Sequence, residues 1–208
     1  FLNSNMQRRN STHLINVVQG TDESLRDYLT RFNRESLTVK DLESFFAMAA
    51  LNKADYEGVC LPHDDPVVVT LQVALFTKKR ILIDSGSSVD ILYKHASDQL
   101  RISNDQLKPM KTPLVGFAGE MVHPLGSIDL SVVAGTAPRQ TQVEMTFLVV
   151  DTPSPYNAII GRPGLNLMEA IVSTRHLMKF STRFGMGEAR GDQQAARQCY
   201  KTTIMDKR

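Results

Sequence analysis

Two spacings of hydrophobic residues divide the chain. Within residues 21–51 the apolar positions recur every three or four residues: Leu25, Tyr28, Leu29 and Phe32, then Leu42, Phe45, Phe46 and Ala49 after a break at Thr38-Val39-Lys40. That period places them on one face of a helix. Thr21-Asp22-Glu23-Ser24 supplies capping and acidic first-turn residues ahead of it. Two packed amphipathic helices follow, with no chemistry implied by the periodicity. From residue 67 the text changes to short runs rich in β-branched residues, at 67–76, 80–84, 112–117, 125–133, 141–150, 158–160 and 170–173. Residues 90–100 read as a short helix. Gly116, Gly119, Pro124, Gly126, Gly135, Pro138 and Pro153 punctuate the runs. Many short strands with dense turn signals predict a compact β-barrel or sandwich.

The breaks in pattern give the organisation. Residues 1–52 form the helical part, and 53–66, with Gly58, Pro62, Pro66 and paired aspartates, form a linker. Residues 67–183 form the β domain. Residues 184–208, rich in Gly, Gln and Arg, read as a flexible tail.

Composition narrows the classes of function. The formal net charge of +2 is too balanced to argue for nucleic acid. Lys78-Lys79-Arg80 reads as a solvated basic turn. No apolar run approaches the roughly 20 residues of a membrane helix. Cys60 and Cys199 are far apart and suggest neither a zinc knuckle nor a disulfide scaffold. His13, His63, His95, His123 and His176 show no paired metal-ligand spacing, so neither a metal nor a cofactor is expected. With no signal peptide and Phe1 in first place, the chain reads as a fragment of a longer protein from a reducing, cytoplasmic setting. In that setting the sequon at Asn10-Ser11-Thr12 is expected to stay unmodified.

The candidate chemistry lies at Ile81-Leu82-Ile83-Asp84-Ser85-Gly86-Ser87. An apolar strand running into a carboxylate is costly unless that carboxylate is solvated, paired or hydrogen-bonded. Asp-Ser-Gly is a common turn sequence. It is also a way to present Asp84 at the floor of a cleft, with Gly86 allowing a sharp turn and the Ser85 hydroxyl free to bind a facing backbone. A second signal, Asn157-Ala158-Ile159-Ile160-Gly161-Arg162, follows about 75 residues later.

Together, in this order and spacing, the two motifs resemble the retropepsins, the aspartic proteases of retroviruses and LTR retrotransposons. The resemblance covers about residues 67–181 and is nearest to plant gypsy-type elements. It implies a mainly β, single-lobe acid-protease barrel, here preceded by a short α-helical segment. It assigns Asp84 as the catalytic residue, with Ser85, Gly86 and Ser87 in the active-site loop. Ile160, Gly161 and Arg162 become its structural support, packed behind the loop. Gly116, Phe117, Ala118 and Gly119 map to the flap that covers substrate, although an ordinary hairpin turn reads the same way. Retroviral enzymes often carry an aspartate two positions after the loop glycine, paired with the arginine of the second motif. Ser88 stands there in this chain, leaving Asp90 or a backbone carbonyl as the partner of Arg162. Glu23-Ser24-Leu25-Arg26-Asp27-Tyr28-Leu29-Thr30-Arg31-Phe32-Asn33 resembles a helical segment of retrotransposon Gag, which precedes the protease in such polyproteins.

The implied mechanism needs two carboxylates. Phe147-Leu148-Val149-Val150-Asp151-Thr152-Pro153 imitates a second loop, but Pro153 stands where the glycine is needed and cannot make the same turn. The expectation is therefore a homodimer contributing Asp84 twice, acting on Gag–Pol polypeptide, in the cytoplasm or in virus-like particles. No membrane or nucleic-acid partner is expected for the β domain. Two other readings stay open: an inactive dimerising or peptide-binding module in a degenerate element, and a capsid-assembly piece working through residues 21–51.

Overall fold

The computed structural model describes residues 59–60, 63–116, 119–173 and 176–205. The expected helices of residues 21–51 lie outside them. The described residues are mainly β. Six strands close into a barrel in the order β1-β2-β8-β3-β7-β6, with β6 pairing back onto β1. They are β1 (Val68–Val73), β2 (Phe76–Ile83), β3 (Asp90–Tyr93), β6 (Gly126–Thr136), β7 (Arg139–Val150) and β8 (Ala158–Ile160). A small hairpin, β4 (Leu114–Val115) with β5 (Met121–Val122), stands apart from the barrel. A three-stranded sheet of β9 (Ala170–Ser173), β10 (Leu177–Thr182) and β11 (Gly185–Arg190) completes the β structure. Three helices, α1 (Lys94–Gln99), α2 (Arg162–Leu167) and α3 (Gln193–Met205), follow β3, β8 and β11. None of the described helices is long and apolar enough to cross a membrane.

Side-chain alternation explains the closure. Along β1, Val69, Leu71 and Val73 point into the barrel while Thr70 and Gln72 are exposed. The end of β7 breaks this rule: Phe147, Leu148, Val149 and Val150 are all buried. There β7 lies in the sheet between β6 and β3, and a strand covered on both faces reads as a continuous apolar run. Leu71, Ile81, Leu92, Val132, Met145, Phe147, Ile160 and Phe180 belong to one core.

Strand β8 has three residues and lies between β2, which it parallels, and β3, to which it is antiparallel. Asn157, just ahead of it and 5 % exposed, ties its neighbours together. Its N–H donates to the Arg80 carbonyl (2.9 Å), and its carbonyl accepts from the Tyr93 N–H (3.1 Å). Its Nδ2 donates to the Lys79 carbonyl (2.6 Å), and its Oδ1 lies 3.1 Å from His95 Nε2. A buried amide in a sheet junction is affordable because every such bond replaces one lost to water.

Two expectations need correction. Residues 90–93 are strand β3, and helix α1 occupies only Lys94–Gln99. Ile91 and Leu92 pair with both β7 and β8, so tertiary pairing overrides the local helical reading. The expected flexible tail from residue 184 is instead a strand and a 13-residue helix. Gly187 is a packing position there: a Cβ on it would come within 2.3 Å of the Phe180 ring. Asp192 caps helix α3, its Oδ1 accepting the Ala195 N–H at 2.9 Å, and the helix buries Ala196 and Cys199. Smaller differences lie at the turns. The 67–76 run ends at Val73, where Ala74 turns the chain with a positive φ, and β2 starts at Phe76.

Replacing Asn157 with Ala leaves the Lys79 carbonyl unpaired in the junction. The expected loss is about 1–3 kcal/mol of stability, read from urea unfolding. A change under about 0.5 kcal/mol would mean that the junction holds without the amide.

Candidate functional site

Strand β2 delivers Asp84 to the edge of the barrel. Ile81 and Ile83 are buried, and the Asp84 N–H donates to the Ile160 carbonyl (2.9 Å), so the loop starts from a fixed point on β8. The carboxylate itself is exposed, and its Oδ1 accepts the Gly86 N–H at 2.9 Å. The Ser87 N–H donates back to the Asp84 carbonyl (3.1 Å), and Ser87 Oγ donates to the Val89 carbonyl (2.8 Å). The loop is thus closed by its own backbone and one hydroxyl. Ser85 is exposed and makes no hydrogen bond within the described residues.

The support behind the loop is a close backbone contact. Gly161 lies so near that a Cβ there would be 2.4 Å from the Val89 carbonyl oxygen and 2.8 Å from that of Ser87. No other residue fits without moving the loop. Ile160 is fully buried ahead of it. Arg162 takes part through its backbone, its N–H donating to the Ser87 carbonyl at 2.9 Å, while its side chain is exposed.

Asp90 does not pair with Arg162. Its carboxylate, on a residue only 3 % exposed, turns to the backbone: Oδ1 accepts the N–H groups of Gly161 (2.7 Å) and Gly164 (3.3 Å). Gly164 has no room for a Cβ, which would stand 2.8 Å from that oxygen. Burial raises the Asp90 carboxyl above the ordinary carboxylate range, against the two N–H bonds that lower it. Sequence reasoning saw Asp90 only as a partner for an arginine. The missed signal was the pair of glycines three residues apart, in register with a buried carboxylate.

Asp84, Gly86 and Ser87 line an open groove of about 740 Å³. Val89, Ile91 and Ile159 form part of its apolar wall, and the β4–β5 hairpin faces the Asp84 loop across it through Leu114, Val115 and Gly116. The hairpin turns by the Gly116 N–H to Glu120 carbonyl bond (2.9 Å) and the Gly119 N–H to Gly116 carbonyl bond (3.0 Å). Val115 and Met121 leave most of their side chains exposed on it. Phe117 and Ala118, the expected flap tip, lie outside the described residues. Thr152 lines the groove but Asp151 does not, so the imitation loop brings no second aspartate to it. Asp84 and Glu120 are the carboxyl-bearing residues among its described lining.

The described residues therefore define a single-lobe, mainly β barrel with one Asp-Ser-Gly loop opening on a hairpin-roofed groove. No family model matches the chain, and no curated protein does. Solved structures similar to it include the retroviral protease-like domain of Ddi1 from Leishmania major, 14 % identical with a TM-score of 0.46, over 64 % of this chain and 95 % of that one. A retropepsin-like aspartic protease from Rickettsia conorii is 14 % identical with a TM-score of 0.38, over 59 % of this chain and 79 % of that one.

The raised Asp90 carboxyl has a definite sign. Folding favours its protonated form, so the penalty for burying the charge is present above the folded-state pKa and fades as pH falls through it towards the unfolded value. Asp90→Asn keeps an acceptor at Oδ1 without the charge. Its stability relative to the native protein should be highest at neutral pH and decline towards pH 4, in urea unfolding at both. Asp90→Ala, which orphans two N–H groups, should be less stable than Asp90→Asn by about 1–3 kcal/mol at either pH. Equal losses for Asn and Ala would refute the backbone-anchor role.

Proposed function

We propose that this chain is an aspartic endopeptidase of the retropepsin type, active as a homodimer in which each copy contributes Asp84. The observation that carries the reading is the placement of that carboxylate. It ends a buried strand, is held by the Gly86 N–H, and stands exposed in a groove lined by apolar side chains and roofed by a hairpin. One lobe supplies one such aspartate. A two-fold axis beside the loop would bring in the second and would give the unpartnered Ser85 hydroxyl a facing backbone to bind.

Two carboxylates about 3 Å apart share one proton. The ionised one takes a proton from water as the water attacks the scissile carbonyl. The protonated one polarises the carbonyl oxygen and then protonates the leaving amine. The substrate is an extended peptide with apolar side chains next to the cut. Extended backbone can add strand-like bonds beneath the hairpin, and Val89, Ile91 and Ile159 offer apolar surface. The pairing of Asp84-Ser85-Gly86 with Ile159-Ile160-Gly161-Arg162 supports a plant gypsy-type retrotransposon origin, and the Gag-like residues 23–33 support Gag–Pol polypeptide as the natural substrate. Such processing would take place in the cytoplasm or in particles assembled there.

The test is cleavage of a precursor containing these 208 residues across pH 4–7, with and without pepstatin. Asp84→Asn should lower cleavage by about 10³-fold or more at unchanged stability. Activity per chain should rise with concentration until the dimer saturates. Undiminished cleavage by Asp84→Asn would remove the assignment. A folded dimer that binds peptide without cutting it would leave a peptide-binding module.

A further inference from the structure

Away from the groove, two histidines meet in an unusual setting. His176 occupies the turn between β9 and β10 and is 2 % exposed. His63 lies on the segment that enters β1, with its ring centroid 5.3 Å from that of His176 and the planes inclined by 43°. Both nitrogens of both rings are shut off from solvent and have no hydrogen-bond partner among the described residues. Gly191 leaves the space the His176 ring fills, since a Cβ there would be 1.9 Å from Nδ1. The Gly191 N–H donates to the His176 carbonyl at 2.7 Å.

Around the rings, the entering segment is tied to the start of α3. The Cys60 N–H donates to Gln193 Oε1 (2.9 Å), and Gln193 Nε2 donates to Asp65 Oδ2 (3.2 Å). Arg197 Nε donates to the same carboxylate oxygen at 2.9 Å. The Asp192 N–H donates to the Val68 carbonyl (2.7 Å), which joins this corner to β1. The segment before the barrel and the last helix are therefore held together over a pair of rings whose nitrogens are unpaired.

We propose that His63 and His176 form an acid-released clasp that fastens the segment entering the barrel to the β9–β10 turn beside the start of helix α3. As neutral rings they pack against each other. One proton charges a ring with no acceptor bonded to it, and a second sets two cations side by side. Charged groups near His176 come from the entering segment and from the start of α3. The Asp65 and Asp192 carboxylates favour charging of His176, while the Arg197 guanidinium and the His63 ring oppose it. Burial outweighs the carboxylates and holds the His176 imidazole below the ordinary histidine range. The linkage follows: a depressed folded-state histidine pKa gives stability that is complete above the unfolded value and is lost as pH falls below it. From an ordinary value of about 6.5, a single histidine kept neutral in the closed form can shift the balance towards opening by at most ~30-fold at pH 5. The clasp lies outside the groove lining and its role does not rest on the peptidase reading.

The experiment is backbone amide exchange on the whole chain at pH 7.5 and pH 5.0, expressed as protection factors so that the intrinsic pH dependence cancels. The expected result is a loss of up to about 30-fold at Cys60, Gly191 and Asp192, with the amides of β6 and β7 unchanged. Undiminished protection at those three amides, or a loss shared equally by β6 and β7, would overturn the proposal. His176→Phe keeps the ring packing without the buried titrating group and should cut the acid-induced loss at least fivefold. Should that variant not fold, the titration of His176 followed by NMR in the native protein decides. Opening in step with its protonation supports the clasp, and opening while His176 is still neutral refutes it.

Discussion

The approach of Gly161 to the carbonyl oxygens of Ser87 and Val89 is the contact on which the rest of the site depends. It sets the distance between the end of β8 and the Asp84 loop to that of two bare backbones. Because Gly161 fits there, the Arg162 N–H reaches Ser87 and the Ile160 carbonyl reaches the Asp84 N–H. The exposed carboxylate is then held from behind by main chain alone, while its own side is left to the groove. Backbone support has little conformational freedom to lose, which suits a group that must keep its position in water.

The same junction explains why this barrel carries buried polar side chains. A three-residue strand wedged between β2 and β3 cannot meet every backbone group by ladder pairing. Asn157 serves one end of the wedge and Asp90 the other. Asn157 is neutral and well supplied with partners. Asp90 is ionisable and poorly solvated, so its charged form holds the β8–α2 corner at an electrostatic cost that the two N–H bonds reduce. The buried carboxylate and the exposed one are six residues apart and have opposite surroundings. Asp90 is enclosed and acts on backbone, whereas Asp84 is open and offered to whatever enters the groove.

The single lobe and the open groove bear on one another. The exposed carboxylate is open to another molecule entering the groove, and in the proposed dimer a symmetric partner would supply the second one. The clasp of His63 and His176 belongs to a different logic. It concerns how the chain enters and leaves the barrel, and its chemistry is that of unpaired imidazoles rather than paired carboxylates.

Much of this was legible from residue order alone. Ala158–Ile160 and Ala170–Ser173 are strands at the bounds their apolar runs suggest, because short β-branched segments between turn residues have few other options. The Asp84 turn and the glycine at 161 were visible because close backbone approach and sharp turns restrict the residue type. Tertiary structure alone decided three things. Residues 90–93 became strand because β7 and β8 offered them two edges. Gly187 became part of a strand packed against Phe180, although residues 184–208 read as a flexible tail. Asp90 found backbone N–H groups more than 70 residues away instead of the arginine its sequence neighbourhood suggested. Local pattern reports what a segment can do by itself. Which partner reaches a buried carboxylate or a free strand edge depends on residues far off in the chain, brought together only when the barrel closes.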